Sequence, residues 1–434
     1  MLKLILFFKK FLTLSFFLYI MTTYWAPLLH VYQPPWQDIE VLRTIDKECY
    51  KPLFSVIEEY ENSKFCLNIN GVLIDLLYEY GLGDTMDLLK NLVAESKVEI
   101  LGTAKFHPIL PLIPKKEAFH QIHMNEELNR KEFGSSWERT GFFPPEMAIS
   151  SKVAKYIKEM GYKWVIMSGI ACPEDWVYDK IYRSPNGLQL IFRDDILSNK
   201  ISFKKITVKE FIMELKTMYK NKEKDNDTYV VTAMDGETFG HHIKNYEKTF
   251  LGATLEKAGE KDNIEVISIT ELDQHFPIAK KEIIPRESSW STTYEDLQAG
   301  VPYPLWKHPD NNVHKYYWKI MKSLNNLMKL ADSLDLTIDW PVEEYYNTAR
   351  WFYDRGLHSC PSWWANPQRG TWSPNLIYKG IELLMRTALN AQLALEHAEI
   401  EEGEGYFDSI SYYHGLLLME LYTITKHNLK KKKL

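Results

Sequence analysis

Apolar and polar positions follow two patterns up to about residue 277, and they alternate along the chain. Short continuous apolar runs predict buried strands at Tyr24–Tyr32, Lys64–Asn70, Val98–Gly102, Arg139–Phe143, Tyr162–Ser168, Leu188–Phe192 and Tyr229–Met234, with a further candidate at Ile264–Ile269. Stretches with helical periodicity predict helices near Leu53–Tyr60, Gly71–Tyr80, Thr85–Glu95, Lys115–Glu132, Ser151–Met160 and Phe211–Tyr219. Strands that alternate with helices predict a parallel sheet with βα crossovers.

Polar side chains follow the ends of at least five of the predicted strands. They are His30, Asn68, His107, Glu146 and Asp235. Polar groups gathered at the carboxyl ends of parallel strands are typical of a barrel whose mouth carries the active site. With seven predicted strands, we expect an α/β fold with a (β/α)7 barrel over residues 22–277.

The pattern changes after residue 277 and becomes mainly helical. Helices are predicted at Val313–Ser333, Val342–Gly356, Leu376–His397 and Tyr406–Lys426. Between two of them lies an aromatic segment, Leu357–Ala365, that is predicted to be irregular. We therefore expect residues 278–434 to form a mainly helical C-terminal domain packed on the barrel.

The first twenty residues form two apolar runs separated by Lys9 and Lys10. A charged start followed by an apolar run resembles a signal peptide, but no small-residue cleavage site precedes the first strand. The run is also short for a membrane span, which needs about 20 apolar residues. We expect residues 1–21 to be an extension outside the fold, either upstream of a true start at Met21 or retained without cleavage, and the protein to be cytoplasmic without a stable membrane span. Secretion or membrane association stays open.

Charge and cysteine content narrow the possible partners. The net charge is −6, and basic residues form no stripe outside the last few positions, so nucleic acid is not an expected partner. The cysteines at positions 49, 66, 172 and 360 are far apart, which argues against a zinc ribbon and a disulfide framework. The 13 Trp and 26 Tyr supply rings that stack on sugars as well as fill cores.

Two carboxylates stand where catalysis would need them. Glu146 follows the rigid Pro144-Pro145 pair, and Asp235 precedes Gly236 at the end of the seventh predicted strand. Glycosidic bond cleavage requires one ionised carboxylate and one carboxylic acid that face each other. Structural alternatives remain for each: Glu146 could stabilise the next helix through its dipole, and Asp235 could open a turn.

The candidate histidines and tryptophans each have two possible roles. His30, His107, His241 and His242 with Asp235 could bind a divalent cation, but no HxxH or HExxH spacing is present. We favour histidines that hydrogen-bond sugar hydroxyls and expect no metal and no cofactor. Five tryptophans are candidate sugar platforms, although for each one alone we favour packing in the core or between domains: Trp290, Trp306, Trp363, Trp364 and Trp372.

Four segments in order resemble the motifs of glycoside hydrolase family 57. They are His30–Pro34 (HVYQP), Glu99–Leu112 (EILGTAKFHPILPL), Phe142–Ser150 (FFPPEMAIS) and Ala233–His242 (AMDGETFGHH). The resemblance covers about residues 22–275 and implies a (β/α)7 barrel, a retaining double-displacement mechanism and no catalytic metal. It also implies that Glu146 is the nucleophile, that Asp235 is the general acid/base, and that His30 and His107 line the donor sugar site.

Two features depart from the family pattern or leave it incomplete. Tyr32 stands where the first motif often has a second histidine, and the fifth motif is unassigned, with the Trp290 region as a candidate. The residues predicted to bind substrate are His30, Gln33, His107, Glu237, His241, Trp290, Trp363 and Trp364.

The sequence thus predicts a retaining glycosidase or transglycosylase acting on an α-glucan or oligosaccharide, of the α-amylase or 4-α-glucanotransferase type. The alternatives are a metal-dependent sugar deacetylase or α-mannosidase on a related barrel, and a carbohydrate-binding relative without turnover. The choice between hydrolysis and transfer, the linkage and the oligomeric state are left open.

Overall fold

Seven strands form a closed ring at the centre of the protein. The computed structural model describes residues 21–218, 226–260, 263–337 and 340–431. The ring consists of β1 (Thr23–Val31), β2 (Phe65–Ile69), β3 (Val98–Ile100), β4 (Gly141–Phe142), β5 (Trp164–Ser168), β6 (Gln189–Arg193) and β7 (Thr228–Asp235).

Hydrogen bonds join neighbouring strands all the way around this ring. Ladders connect β3, β2, β1 and β7 on one side and β4, β5 and β6 on the other. The Phe143 amide donates to the Gly102 carbonyl at 2.8 Å, and the Asp194 amide donates to the Val231 carbonyl at 2.8 Å. These two bonds close the joints between β3 and β4 and between β6 and β7, so the predicted (β/α)7 barrel is confirmed.

Burial on both faces explains why the strands are continuous apolar runs. Every residue of β1, β2 and β5 is buried, as expected for parallel strands packed between an interior core and a surrounding layer of helices. The register aligns His30 with Asn68 on one neighbour and with Asp235 on the other. The polar ends of β1, β2 and β7 therefore lie at the same level of the barrel mouth.

The helices follow the strands, and the described residues of the barrel region contain four helices that the sequence does not predict. The helices of the barrel region are α1 (Ile39–Ile45), α2 (Lys51–Glu59), α3 (Gly71–Glu79), α4 (Gly83–Ala94), α5 (Lys115–Phe133), α6 (Ser151–Glu159), α7 (Asp195–Ser202), α8 (Val208–Thr217), α9 (Ala253–Gly259) and α10 (Leu272–His275). Helices α1, α7, α9 and α10 were not predicted because each spans only about one or two turns, too few for a clear periodicity. The predicted end of α8 at Tyr219 lies outside the described residues.

Three short strands lie outside the ring. Ile181–Arg183 pairs antiparallel with β6, and Ile278–Glu282 pairs with Ile181–Arg183 in turn. The candidate strand at residues 264–269 is shorter than predicted, because Ile264–Val266 alone pairs with β1. Strand pairing on the barrel side thus continues beyond residue 277, where the sequence placed the domain boundary.

The remaining part of the chain is mainly helical. Its helices are α11 (Tyr294–Gln298), α12 (Asn312–Ala331), α13 (Trp340–Gly356), α14 (Cys360–Trp363), α15 (Pro374–His397) and α16 (Glu404–Lys431), with a short hairpin of Ala365–Asn366 and Thr371–Trp372. The prediction that residues 357–365 are irregular is wrong at α14, a single turn whose second residue is Pro361, which the first turn of a helix tolerates. Leu324, Leu384 and Leu417 belong to one apolar core shared by α12, α15 and α16.

Contacts attach the helical region to the barrel near the end of β3. The Ser359 amide donates to the His107 carbonyl at 3.1 Å, and Arg350 on α13 forms an ion pair with Glu117 on α5. In the part of the chain that the structure describes, no helix has both the length and the apolar character of a membrane span. Residues 1–20, which carry most of the predicted N-terminal extension, lie outside that part.

Candidate active site

A cavity of about 570 Å³ opens at the mouth of the barrel. Its walls come from the ends of β1, β4 and β7 and from segments after residue 289. Eight residues that the sequence nominated line it: His30, Gln33, Glu146, Asp235, Glu237, Trp290, Trp363 and Trp364. The structure therefore brings both candidate catalytic carboxylates and most of the candidate sugar contacts to one place.

The other nominated residues lie elsewhere. His107 is fully buried behind the cavity wall, and His241 points away from the cavity, with its Nδ1 2.8 Å from Glu48 Oε2. Its neighbour His242 lines the cavity in its place. Trp306 is fully buried in a small apolar cluster, so the packing alternative is the correct one for that residue.

The backbone that carries Glu146 is strained and held in place. Glu146 has φ 59° and Met147 has φ 49°, both in the left-handed region that residues other than glycine seldom adopt. Trp290 fixes this turn from two sides: its amide donates to the Glu146 carbonyl at 3.1 Å, and its Nε1 donates to Glu146 Oε2 at 2.7 Å. These two hydrogen bonds therefore hold the turn in this conformation and orient the Glu146 carboxylate.

His107 lies beneath Glu146 and is also left-handed, with φ 57°. Its Nδ1 is 2.9 Å from Ser359 Oγ and 3.9 Å from Glu146 Oε1. Burial lowers the pKa of His107 well below its ordinary value, and the charges of His30 and His358 lower it further. The ring is therefore neutral, and it supports the turn that carries Glu146 without adding a positive charge.

Asp235 ends β7 next to the last residues of β1. Burial raises the pKa of Asp235 to about 6, while the Arg193 guanidinium acts in the opposite direction. Arg193 ends β6 and is anchored by Nε, which donates to the Ala233 carbonyl at 2.8 Å, and by an ion pair with Asp195. Sequence reasoning missed Arg193, although it obeys the same rule of polar groups at strand ends.

Three carboxyl groups crowd this cavity. Burial, and then the charge of Asp235, raise the pKa of Glu146 to about 8 and that of Glu237 to about 7. The Trp290 hydrogen bond partly offsets this effect on Glu146. For Glu237, the Tyr50 hydroxyl donates to Oε1 at 2.7 Å, and Gln33 Nε2 donates to the same oxygen at 3.2 Å. The cluster can thus hold an ionised carboxylate and a carboxylic acid at once near neutral pH.

Neutral aromatic groups complete the wall. The Nδ1 of His30 is 2.5 Å from Asn68 Oδ1, and burial lowers the pKa of His30 to about 4 despite this bond. Tyr32 stacks on the His107 ring at 4.0 Å, and its hydroxyl lies 3.4 Å from Cys360 Sγ. A tyrosine thus occupies the place where the family pattern often has histidine.

Ser359 and Cys360 were not predicted as site residues. The signal that could have identified them is the aromatic segment they interrupt, because its tryptophans were already candidates. Within the described ranges, no group of three or more histidine, cysteine or acidic side chains has the geometry to hold a metal ion.

The sequence matches the model of Glycosyl hydrolase family 57 over residues 14–285. A curated relative is the α-amylase of Pyrococcus abyssi, which is 24% identical over 63% of this chain and 43% of its own length. Another is the 4-α-glucanotransferase of Thermococcus litoralis, which is 24% identical over 66% of this chain and 45% of its own length. This chain therefore spans less than half the length of these two relatives.

A solved structure shares the fold over almost the whole of both chains. It is the α-amylase AmyC of Thermotoga maritima, with a TM-score of 0.69 at 15% identity, covering 92% of this chain and 97% of that one. At this identity the likeness concerns the fold, in which the helical region takes part together with the barrel.

Proposed function

Because this chain belongs to Glycosyl hydrolase family 57, we propose that it is a retaining enzyme that cleaves or transfers the α-linked glucosyl units of α-glucans. The observation that carries the proposal is the placement of Glu146 and Asp235 on one cavity, at the ends of strands that the barrel brings together. The names of the α-amylase and 4-α-glucanotransferase relatives support an α-glucan as the substrate.

Glu146 acts as the nucleophile in the first step. Its ionised carboxylate attacks the anomeric carbon while Asp235 gives its proton to the leaving glycosidic oxygen, so the bond to the leaving sugar breaks as the glycosyl-enzyme ester forms. The Trp290 Nε1–H, 2.7 Å from Glu146 Oε2, stabilises the ionised form of this carboxylate and orients it.

Asp235 acts as a base in the second step. It takes a proton from a water molecule or from a sugar hydroxyl, whose oxygen attacks the anomeric carbon and releases Glu146 as a carboxylate. Water gives hydrolysis and a sugar hydroxyl gives transfer. Two inversions leave the product with the configuration of the substrate. Trp363 and Trp364 offer aromatic faces on which the glucan can stack.

The direct test is product analysis with maltoheptaose. We expect shorter oligomers if the enzyme hydrolyses, and both shorter and longer oligomers if it transfers. Glu146→Gln removes the nucleophile while preserving shape, and Asp235→Asn removes the acid, so each should lower turnover by about 10²-fold or more with unchanged thermal unfolding. His241→Gln is the matched control, because this side chain lies outside the cavity lining.

Azide separates the roles of the two carboxylates. α-Maltosyl fluoride needs no general acid, because fluoride leaves without a proton. With this substrate and azide, the Asp235→Ala variant should yield the α-azide, because azide displaces Glu146 from the glycosyl-enzyme ester. The Glu146→Ala variant should yield the β-azide, because azide enters the space that the Glu146 carboxylate leaves and displaces fluoride directly. Near-normal turnover of Glu146→Gln, or azide products of the opposite configurations, would contradict the assignment.

A further inference from the structure

A second cavity, of about 700 Å³, lies between the start of α6 and the first half of α12. No residue lines both this cavity and the catalytic one. Five lysines line it: Lys152, Lys307, Lys315, Lys319 and Lys322. Among the described residues around it, Glu287 alone is acidic. A protein with a net charge of −6 thus concentrates positive charge at one concave place.

These lysines are available for a ligand. All five are exposed, and within the ranges that the structure covers none of them forms an ion pair. Elsewhere on this protein lysines commonly have acidic partners, as in the pairs Lys115–Glu159 and Lys200–Glu214. A group of unneutralised ammonium groups around a cavity repels itself unless an anion binds there.

One helix face organises the basic wall. On α12, Lys319 lies four residues after Lys315 and three before Lys322. Trp318 lies three residues after Lys315 and four before Lys322, so all four side chains share one side of the helix. Lys152 approaches from the first turn of α6, whose N-cap Ser150 also lines the cavity. Four of the five lysines therefore project from two helices, and Lys307 lies in the loop before α12.

The cavity also has an apolar side suited to a sugar ring. Trp318 is half-buried, and its Nε1 donates to the Trp306 carbonyl at 2.7 Å, which fixes the orientation of the indole. Val301 and Pro302 line the same cavity. An aromatic face beside ammonium groups matches a ligand that has both an apolar ring face and phosphate oxygens.

We propose that this cavity is a binding site for a phosphorylated sugar, separate from the catalytic cavity. The lysines of α12 and Lys152 bind the phosphate group, and Trp318 packs against the sugar ring. The volume lies within the usual range of small-molecule sites. This inference goes beyond the proposed glucan-cleaving activity and does not depend on it.

Calorimetric titration of the full chain with glucose 6-phosphate tests the site, with inorganic phosphate and glucose as companion probes. We expect glucose 6-phosphate to bind, glucose not to bind here, and the affinity to fall as salt is raised. The double variant Lys315→Gln/Lys319→Gln should weaken binding by at least about tenfold, because it removes two charge-assisted contacts. The matched control is Lys209→Gln/Lys329→Gln, which neutralises two exposed lysines outside the cavity.

Each outcome decides the proposal. Equal affinities in the two double variants, or no binding of glucose 6-phosphate at millimolar concentration, would overturn it. Trp318→Ala should weaken glucose 6-phosphate binding more than inorganic phosphate binding; equal losses would overturn the role of the indole. The loss of affinity in Lys315→Gln/Lys319→Gln separates this site from the catalytic one, because neither lysine lines the catalytic cavity, and it does so whether or not the glucan-cleaving function is correct.

Discussion

Trp290 offers a sharp test of how the candidate nucleophile is prepared. Trp290→Phe keeps an aromatic ring against His30 and Phe143 but removes the Nε1–H that lies 2.7 Å from Glu146 Oε2. A hydrogen bond to a charged group contributes about 1.5–3 kcal/mol. We therefore expect kcat/KM to fall by roughly 10- to 150-fold, since about 1.4 kcal/mol corresponds to a factor of ten.

The pH profile separates this effect from simple damage to the fold. The Trp290 hydrogen bond lowers the pKa of Glu146, so its loss raises that pKa, by about 1–2 units for the energy above. Glu146 then keeps its proton to higher pH, and the alkaline limb of kcat/KM moves upward. The acid limb, governed chiefly by Asp235, stays in place.

Trp363→Phe is the matched control. It also removes an indole N–H from the cavity wall, but in the structure Trp363 makes no hydrogen bond to Glu146. We expect no movement of its alkaline limb. If Trp290→Phe retained activity within about twofold of the parent, or lost activity with both limbs unmoved, the indole would not be stabilising the ionised nucleophile.

Two further predictions concern the carboxyl cluster and the attachment of the helical region. The unmodified enzyme should show a bell-shaped kcat/KM profile with limbs near pH 6 and pH 8, because both catalytic carboxyls are protonated below the lower value and both are ionised above the upper one; a profile flat from pH 5 to 9 would contradict this. Arg350→Ala should lower the free energy of unfolding in urea by about 3–5 kcal/mol, because it leaves the buried Glu117 carboxylate unpaired and removes one of the two partners of Asp354, whose other partner is His120. The exposed pair of Arg386 and Glu382 provides the control, because Arg386→Ala should change the free energy of unfolding by no more than about 1 kcal/mol. Similar losses of stability in the two variants would refute the reasoning.

The barrel and its catalytic strand ends could be predicted because local pattern determines them. A parallel strand that is buried on both faces is an unbroken apolar run, and its carboxyl end faces the same mouth as its neighbours' ends. Even β4, which has only two residues in ladder geometry, was recognisable from the apolar residues before Glu146. The same rule applied to β6 would have added Arg193.

The contacts that finish the site could not be predicted in this way. Ser359 meets His107 across 252 positions of the chain, and Cys360 meets Tyr32 across 328. Such pairings depend on how the helical region docks on the barrel, which no local periodicity encodes. The left-handed conformations of His107 and Glu146 could not be predicted either, because residues other than glycine adopt them seldom and the surrounding contacts impose them here.

Under the proposed double displacement, the ionisation of the two candidate catalytic carboxyls must change when the sugar binds. Burial raises the pKa of Glu146 to about 8 and that of Asp235 to about 6, so without substrate Glu146 holds a proton more tightly than Asp235. Double displacement requires the opposite arrangement, with Glu146 ionised and Asp235 protonated. A bound glycoside favours that arrangement, because its leaving oxygen accepts a hydrogen bond from protonated Asp235 and the positive charge developing at the anomeric carbon stabilises ionised Glu146. The Trp290 hydrogen bond reduces the free-energy difference between the two arrangements. The division into nucleophile and acid is therefore completed by the substrate, within a pair of carboxyls that burial has already brought near neutral pKa values.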